Sequence, residues 1–196
     1  MKIIVAVASY LVGSIPTGYL LVRIFGKKDV RAFGSGSTGA TNVLRVKGWK
    51  AALPVAVFDI LKGFLPVALA AKWFADPVFA ALCGLLAVVG HCYPFSIGFR
   101  GGKGVATALG AFAAIAWAAS LSAAGLFLIV VGITRFVSLG SILGSLAFSA
   151  VVFASGRPAG VAVVALAISA LIVFRHKGNI GRLLRGTERK LGEKAP

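Results

Sequence analysis

The sequence predicts an all-α integral membrane protein with seven transmembrane helices. The N-terminus is placed extracytoplasmic and the C-terminus cytoplasmic, with short interfacial helices on the cytoplasmic face. Three observations predict this. The 196-residue chain is 59% apolar and only 13% charged, whereas a soluble domain carries roughly a quarter charged residues. Its apolar residues form runs long enough to cross a bilayer. Its net charge of +16 lies in short segments between those runs, the pattern set by the positive-inside rule and by anionic lipid.

Six apolar blocks follow in order: 3–24, 51–71, 78–93, 105–134, 136–154 and 160–174. The first, after "MKIIVAVAS", imitates a signal peptide. Its apolar stretch runs on to Ile24, so it reads as a retained helix. Ser14, Pro16 and Thr17 in "GSIPTG" break that helix. The second carries Asp59 and Lys62 three residues apart, a costly pair in lipid that reads as structural support. The third ends at Pro94. The fourth, 105–134, is too long for one helix, which needs about 20 residues. A single crossing would put the arginine-rich tail outside. Two short helices turning near Ser120-Leu121-Ser122 keep the loops at 25–50, 96–104 and 135–140 and the tail on one side. Only Lys2, Lys72 and Arg157 then face the other, with Lys62 inside the second helix. Gly13, Gly18, Gly84, Gly144 and Gly160 read as helix-packing sites. The chain is one domain over 1–196, with a bundle over 1–174 and a basic amphipathic tail over 175–196 that includes Lys194.

A nucleic-acid partner is excluded because the aromatics lie within apolar runs, not among the basic residues. Cys83 and Cys92 form no CxxC, and His91-Cys92 reads as an ordinary helix end, so no metal or redox site is expected.

Three polar segments carry the chemistry. In "GSGSTGATNVLR" (34–45), Gly34, Gly36 and Gly39 allow tight turns whose N–H groups converge on an anion. Thr38 or Ser37 would cap a short helix, on which Thr41 and Arg45 share a face, with Asn42 beside them. In "GHCYPFSIGFRGGKGVAT" (90–107), Gly101, Gly102 and Gly104 flank Lys103 at a helix N-terminus, where free N–H groups and the dipole favour an anion. This is not a nucleotide loop: Ile97 stands where its first glycine would be, Gly104 replaces its Ser/Thr, and no acidic residue is near to hold magnesium. In "RHKGNIGRLLRGTERK" (175–190), His176 and Asn179 lie three apart, and Ile180, Leu183 and Leu184 oppose Arg182 and Arg185 as in an interfacial helix. Ser141 opens the helix after Arg135, positioned to donate to a phosphate. Glu188 pairs with nearby arginines. With all these anion sites on one face, the residues point to a membrane enzyme of phosphorylated or lipid substrates, acting by positioning and charge stabilisation. An organic-phosphate transporter is the alternative.

These three segments, in order, resemble the signatures of the bacterial acyl-phosphate:glycerol-3-phosphate acyltransferases, the PlsY family. The resemblance spans nearly the whole chain, including "GSIPTGYL" and "FDILKG". Ser37 and Arg100 depart mildly, where the family often has Asn and Lys. The resemblance implies acyl transfer from an acyl phosphate to the sn-1 hydroxyl of glycerol 3-phosphate, giving lysophosphatidic acid and inorganic phosphate. It implies a monomer in the bacterial inner membrane, with a cytoplasmic active site and a functional link to the enzyme that makes acyl phosphate. By motif position, Gly34, Ser35, Gly36, Gly39, Thr41, Asn42 and Lys103 would meet the acyl phosphate. Arg45, Gly101, Gly102, Lys103, Gly104, Ser141, His176 and Asn179 would hold glycerol 3-phosphate. Ser35, Lys103, His176 and Asn179 would be catalytic, with Asp59, Lys62 and Glu188 as structural support. The hydroxyl proton would pass to His176 or to a substrate phosphate, the latter preferred because nearby cations depress the His176 pKa.

Overall fold

The computed structural model describes residues 1–193; Lys194, a basic tail residue in the sequence reading, lies outside the described residues. Ten α-helices and no strand are found among these residues. They are α1 (Lys2–Gly13), α2 (Thr17–Gly26), α3 (Ala40–Lys47), α4 (Trp49–Phe74), α5 (Pro77–Cys92), α6 (Val105–Ala113), α7 (Trp117–Thr134), α8 (Val137–Ala154), α9 (Ala159–Arg175) and α10 (Lys177–Leu184). Five spans are long and apolar enough to cross a membrane, and six if the α9–α10 pair, bent by 57°, counts as one. Pro16 splits the first block into α1 and α2, as expected.

Two expectations are corrected. The fourth block does not turn at Ser120–Ser122. It breaks at Ala114–Ala116, leaving α6 with nine residues and α7 with 18. Nine residues rise only about 14 Å, half a hydrocarbon core. The turn lacks Gly and Pro, so nothing local marks it. The other correction concerns α3. Its N-cap is Gly39, with no side-chain cap, while Ser37 Oγ accepts from Gly39 N at 3.3 Å and Thr38 is buried.

The core packs Val67 of α4, Phe79 and Val88 of α5, Phe112 of α6, Phe148 of α8 and Ile168 of α9. Phe112 and Phe148 meet edge-on, with centroids 4.6 Å apart. A smaller cluster of Val22, Val30, Val43, Ala52 and Val55 seats α3 against α2 and α4. Close helix crossings need glycine. A Cβ at Gly13 would strike Ala87, and one at Gly63 would strike the Thr107 carbonyl. A Cβ at Gly160 would also strike the Val78 side chain, and at Gly84 and Gly144 it would be tight, 3.1 Å from Ala111 Cβ and 3.0 Å from the Ala123 carbonyl; at Gly18 it would strike the Thr38 carbonyl, in a loop and not a helix. Outward faces remain apolar, with Ile3, Leu53, Phe58, Leu128 and Phe153 exposed, as a lipid solvent requires.

Four separate loops are tied together at one end of the bundle. Arg31 Nη1 donates to the Ile97 carbonyl (2.7 Å), and Arg45 Nη2 to that of Arg189 (3.3 Å). Arg135 and Leu191 exchange hydrogen bonds through the Arg135 Nη2 and the Leu191 N–H.

Candidate active site

A cavity of about 430 Å³ opens beneath these loops. Its polar part is built from the N-terminus of α3, the start of α6, the first turns of α8 and the α9–α10 bend. Ser35, Gly39, Thr41, Asn42, Arg45, Lys103, Gly104, Ser141, His176, Asn179 and Glu188 all line it. The apolar part runs along Leu109, Phe127, Leu128, Phe148 and Ile168. One cavity thus offers cations at one end and a hydrocarbon-like lining at the other.

Lys103 Nζ donates to Asn179 Oδ1 at 2.5 Å, and Asn179 Nδ2 donates to Glu188 Oε1 at 2.6 Å. Ser138 Oγ also donates to Glu188 Oε1 (2.8 Å), and Arg182 Nε donates to Oε2 (2.7 Å). Glu188 therefore joins α8, α10 and, through Asn179, the Lys103 loop. Burial opposes its charge, but hydrogen bonds from Asn179, Ser138 and Arg182 prevail and hold the carboxyl below its usual range.

Burial pushes Lys103 down to about 8. Arg182, Arg45 and Arg175 add to this, and Glu188 opposes it. Burial, with Lys103 and Arg175 nearby, pushes His176 down to about 4. His176 Nδ1 faces the Ile172 carbonyl at 2.8 Å. A carbonyl only accepts, so Nδ1 carries the hydrogen and Nε2 keeps its lone pair. A neutral His176 is thus a hydrogen-bond acceptor and a weak base.

The glycine loop differs from its sequence reading. Gly101 N donates to the Cys92 carbonyl (3.2 Å) and Gly102 N to that of His91 (3.0 Å), so neither N–H is open to an anion. Their carbonyls are clamped by Arg175: Nε reaches Gly102 O at 3.1 Å, and Nη2 reaches Gly101 O at 3.3 Å. A Cβ at Gly102 would run into the His91 ring. These two glycines shape the loop, and neither lines the cavity. Gly104, at φ 87°, does line it and caps α6.

Asn42 is likewise committed inward. Its Nδ2 donates to the Val30, Phe33 and Ser37 carbonyls, and its Oδ1 accepts from Ser35 N at 2.9 Å. It fixes the 33–39 turn, placing Ser35 at the cavity. Gly34 and Gly36, at φ 63° and 69°, make that turn without lining the main cavity. Ser141 Oγ donates to the Val137 carbonyl at 2.8 Å while lining the cavity.

Asp59 and Lys62 pair at 2.7 Å, as expected. Thr17 Oγ1 also donates to Asp59 Oδ1 (2.5 Å), and Lys62 Nζ to the Ile15 carbonyl (2.9 Å). Sequence reasoning missed His91, whose Nδ1 lies 3.5 Å from Asp59 Oδ1 and whose side chain lines the cavity. It missed Arg175 too, which also stacks 4.9 Å over Tyr93. The available signal was a second polar residue, His91, opposite Asp59 in an otherwise apolar pair of helices.

The sequence model of the glycerol-3-phosphate acyltransferase family matches residues 3–186. The chain belongs to that family. It is therefore an acyltransferase and an integral membrane protein. A family relative, glycerol-3-phosphate acyltransferase 1 of Deinococcus radiodurans, is 47% identical over 186 residues, 95% of this chain and 93% of its own. The Geobacter sulfurreducens glycerol-3-phosphate acyltransferase is 45% identical over 190 residues, covering 96% and 97%. The crystal structure of PlsY, an integral membrane glycerol 3-phosphate acyltransferase, in its glycerol 3-phosphate form is 41% identical, with a TM-score of 0.94. That match covers 97% of this chain and 96% of PlsY. Its lysophosphatidic acid form matches at 40% identity with a TM-score of 0.90.

Proposed function

We propose that this chain acylates the sn-1 hydroxyl of glycerol 3-phosphate with an acyl phosphate, releasing lysophosphatidic acid and inorganic phosphate. The observation that carries this is the two-ended cavity: a cationic mouth for phosphates continuous with an apolar bore for an alkyl chain. The PlsY structures with glycerol 3-phosphate and lysophosphatidic acid fit such a cavity. Ser35, Thr41 and Gly39 would face the acyl-phosphate head. Arg45, Ser141, His176 and Asn179 would face glycerol 3-phosphate, with Lys103 able to reach both. Asn42, Gly101 and Gly102 would act by shaping loops, and Asp59, Lys62 and Glu188 by holding them.

Acyl phosphate is an activated donor, so no cofactor is needed. The hydroxyl oxygen bonds to the acyl carbon as the carbon–oxygen bond to phosphate breaks. The hydroxyl proton passes to a phosphate oxygen. This substrate assistance is favoured because His176, pushed down to about 4, is a weak base. Lys103 stabilises charge gathering on the departing phosphate. Transfer is direct, without a covalent acyl-enzyme.

We place the chain, as one domain and a monomer, in the bacterial inner membrane. It crosses seven times, with α6 as a half-depth crossing and the site on the cytoplasmic side, next to the enzyme that supplies acyl phosphate. The test uses purified protein, acyl phosphate and glycerol 3-phosphate. Lysophosphatidic acid and inorganic phosphate should appear in equal amounts, and the intact mass should not change with acyl phosphate alone. Product formed only from acyl-CoA, or a stable acyl adduct, would defeat the reading.

A further inference from the structure

A second cavity, of about 290 Å³, adjoins the first on the side of the α10 tail. Arg45, Arg182, Arg185 and Arg189 line it, with Ser35 and Glu188. Ser35, Arg45 and Glu188 also line the main cavity, so the two share a wall. No apolar side chain lines the smaller one, and it gives an alkyl chain nothing to pack against. Its one carboxylate is already engaged by Asn179, Ser138 and Arg182. Among the described residues, Arg185 and Arg189 have no acidic partner. Three guanidiniums beyond the Glu188–Arg182 pair thus crowd one polar space, a repulsive arrangement until an anion enters it. Burial lowers the Arg45 pKa; Glu188 opposes this, and Arg189 and Arg182 add to it. Guanidiniums in a cluster match the oxygens of a phosphate dianion.

We infer that this outer cavity is a second anion subsite. It holds a small, water-soluble phosphate dianion at the doorstep of the reaction cavity, with Arg45 as the shared wall. Resting on the proposed function, that dianion is either glycerol 3-phosphate on its way in or inorganic phosphate on its way out. The charge also attracts either anion from solution, an effect weakened by salt.

The test counts bound radiolabelled inorganic phosphate on the full-length, detergent-solubilised protein without acyl donor. Wild type should bind phosphate at two sites. Lys103→Ala should keep one site. The Arg185→Gln/Arg189→Gln variant should keep only the Lys103-dependent site, its outer affinity falling roughly tenfold or more; the surviving site reports that the variant is folded. Arg157→Gln, at the opposite end of the bundle, should keep both. Displacement by glycerol 3-phosphate from Lys103→Ala assigns the subsite to the incoming substrate. Resistance to it assigns the subsite to the departing phosphate. One site in wild type that Lys103→Ala abolishes, or two unaltered sites in the arginine variant, would overturn the proposal. Because no acyl donor is present, these counts hold even if the acyl-phosphate reading fails.

Discussion

Lys103 titrates at about 8 because its ammonium is buried and crowded by Arg182, Arg45 and Arg175, with Glu188 pulling the other way. The charged form dominates below that pH and is lost above it. If the ammonium stabilises the leaving phosphate, kcat/KM should be level from about pH 6 to 7 and half-lost at about pH 8. Above pH 8 it should fall up to tenfold per unit, since kcat/KM reads the free enzyme. His176, pushed down to about 4, should add no step near 6.5. The neutral isostere in Glu188→Gln removes the one charge that raises the Lys103 pKa, so the alkaline limb should move to lower pH. A limb that stays in place, or an acid limb near 6.5, would separate Lys103 and Glu188 from the chemistry assigned to them. A merely structural Glu188 would lower activity at every pH without moving the limb.

The link between α5 and α6 acts as one element. Gly102 lies against the His91 ring, and Arg175 grips its carbonyl, so Lys103 is positioned from both sides. Gly102→Ala should displace that loop and lower kcat/KM by roughly a hundredfold, the order of cost of a small misplacement near the chemistry. Gly98→Ala, at φ 69° with nothing near its Cβ, should meet only backbone strain of about 1 kcal/mol and stay active. Equal losses in assays of the two purified variants would remove loop position as the cause. The Asp59–Lys62 pair holds α4 to the α1–α2 break and to His91. Asp59→Ala would leave a buried ammonium unpaired, costing about 3–5 kcal/mol. Asp59→Ala/Lys62→Met should recover much of the thermal midpoint in detergent; no recovery would mean the pair was not the source. The spacing of Lys103, His176 and Asn179 was legible because helix ends and polar segments are written locally. The inward turn of Asn42 and the spent N–H groups of Gly101 and Gly102 were not, because their partners lie on other segments. The Ala114–Ala116 break was also hidden, because Ala114-Ile115-Ala116 carries no Gly, Pro or polar residue to mark it within an apolar run.

Across the whole molecule, the short α6 explains how a polar site comes to face lipid. Its nine residues descend only about 14 Å, while the 18 residues of α7 span about 27 Å. The α6 N-terminus, with Lys103, is thereby brought beside the apolar bore, where an alkyl chain and a charged head can be held at once. This arrangement makes sense only if the loops tied together by Arg31, Arg45, Arg175 and Arg135 share one side of the bilayer. In the proposed topology the basic residues put that side in the cytoplasm. Native Cys83 and Cys92 are fully buried, so a membrane-impermeant thiol reagent should give little background. A cysteine replacing exposed Lys28 or Lys190 should react only after cells are permeabilised, and one replacing Arg157, between α8 and α9, should react in intact cells. Labelling of Lys28→Cys and Arg157→Cys from the same side would defeat the seven-crossing arrangement, in which α4, α5, α6, α7 and α8 make five crossings between them, an odd number that leads to opposite faces.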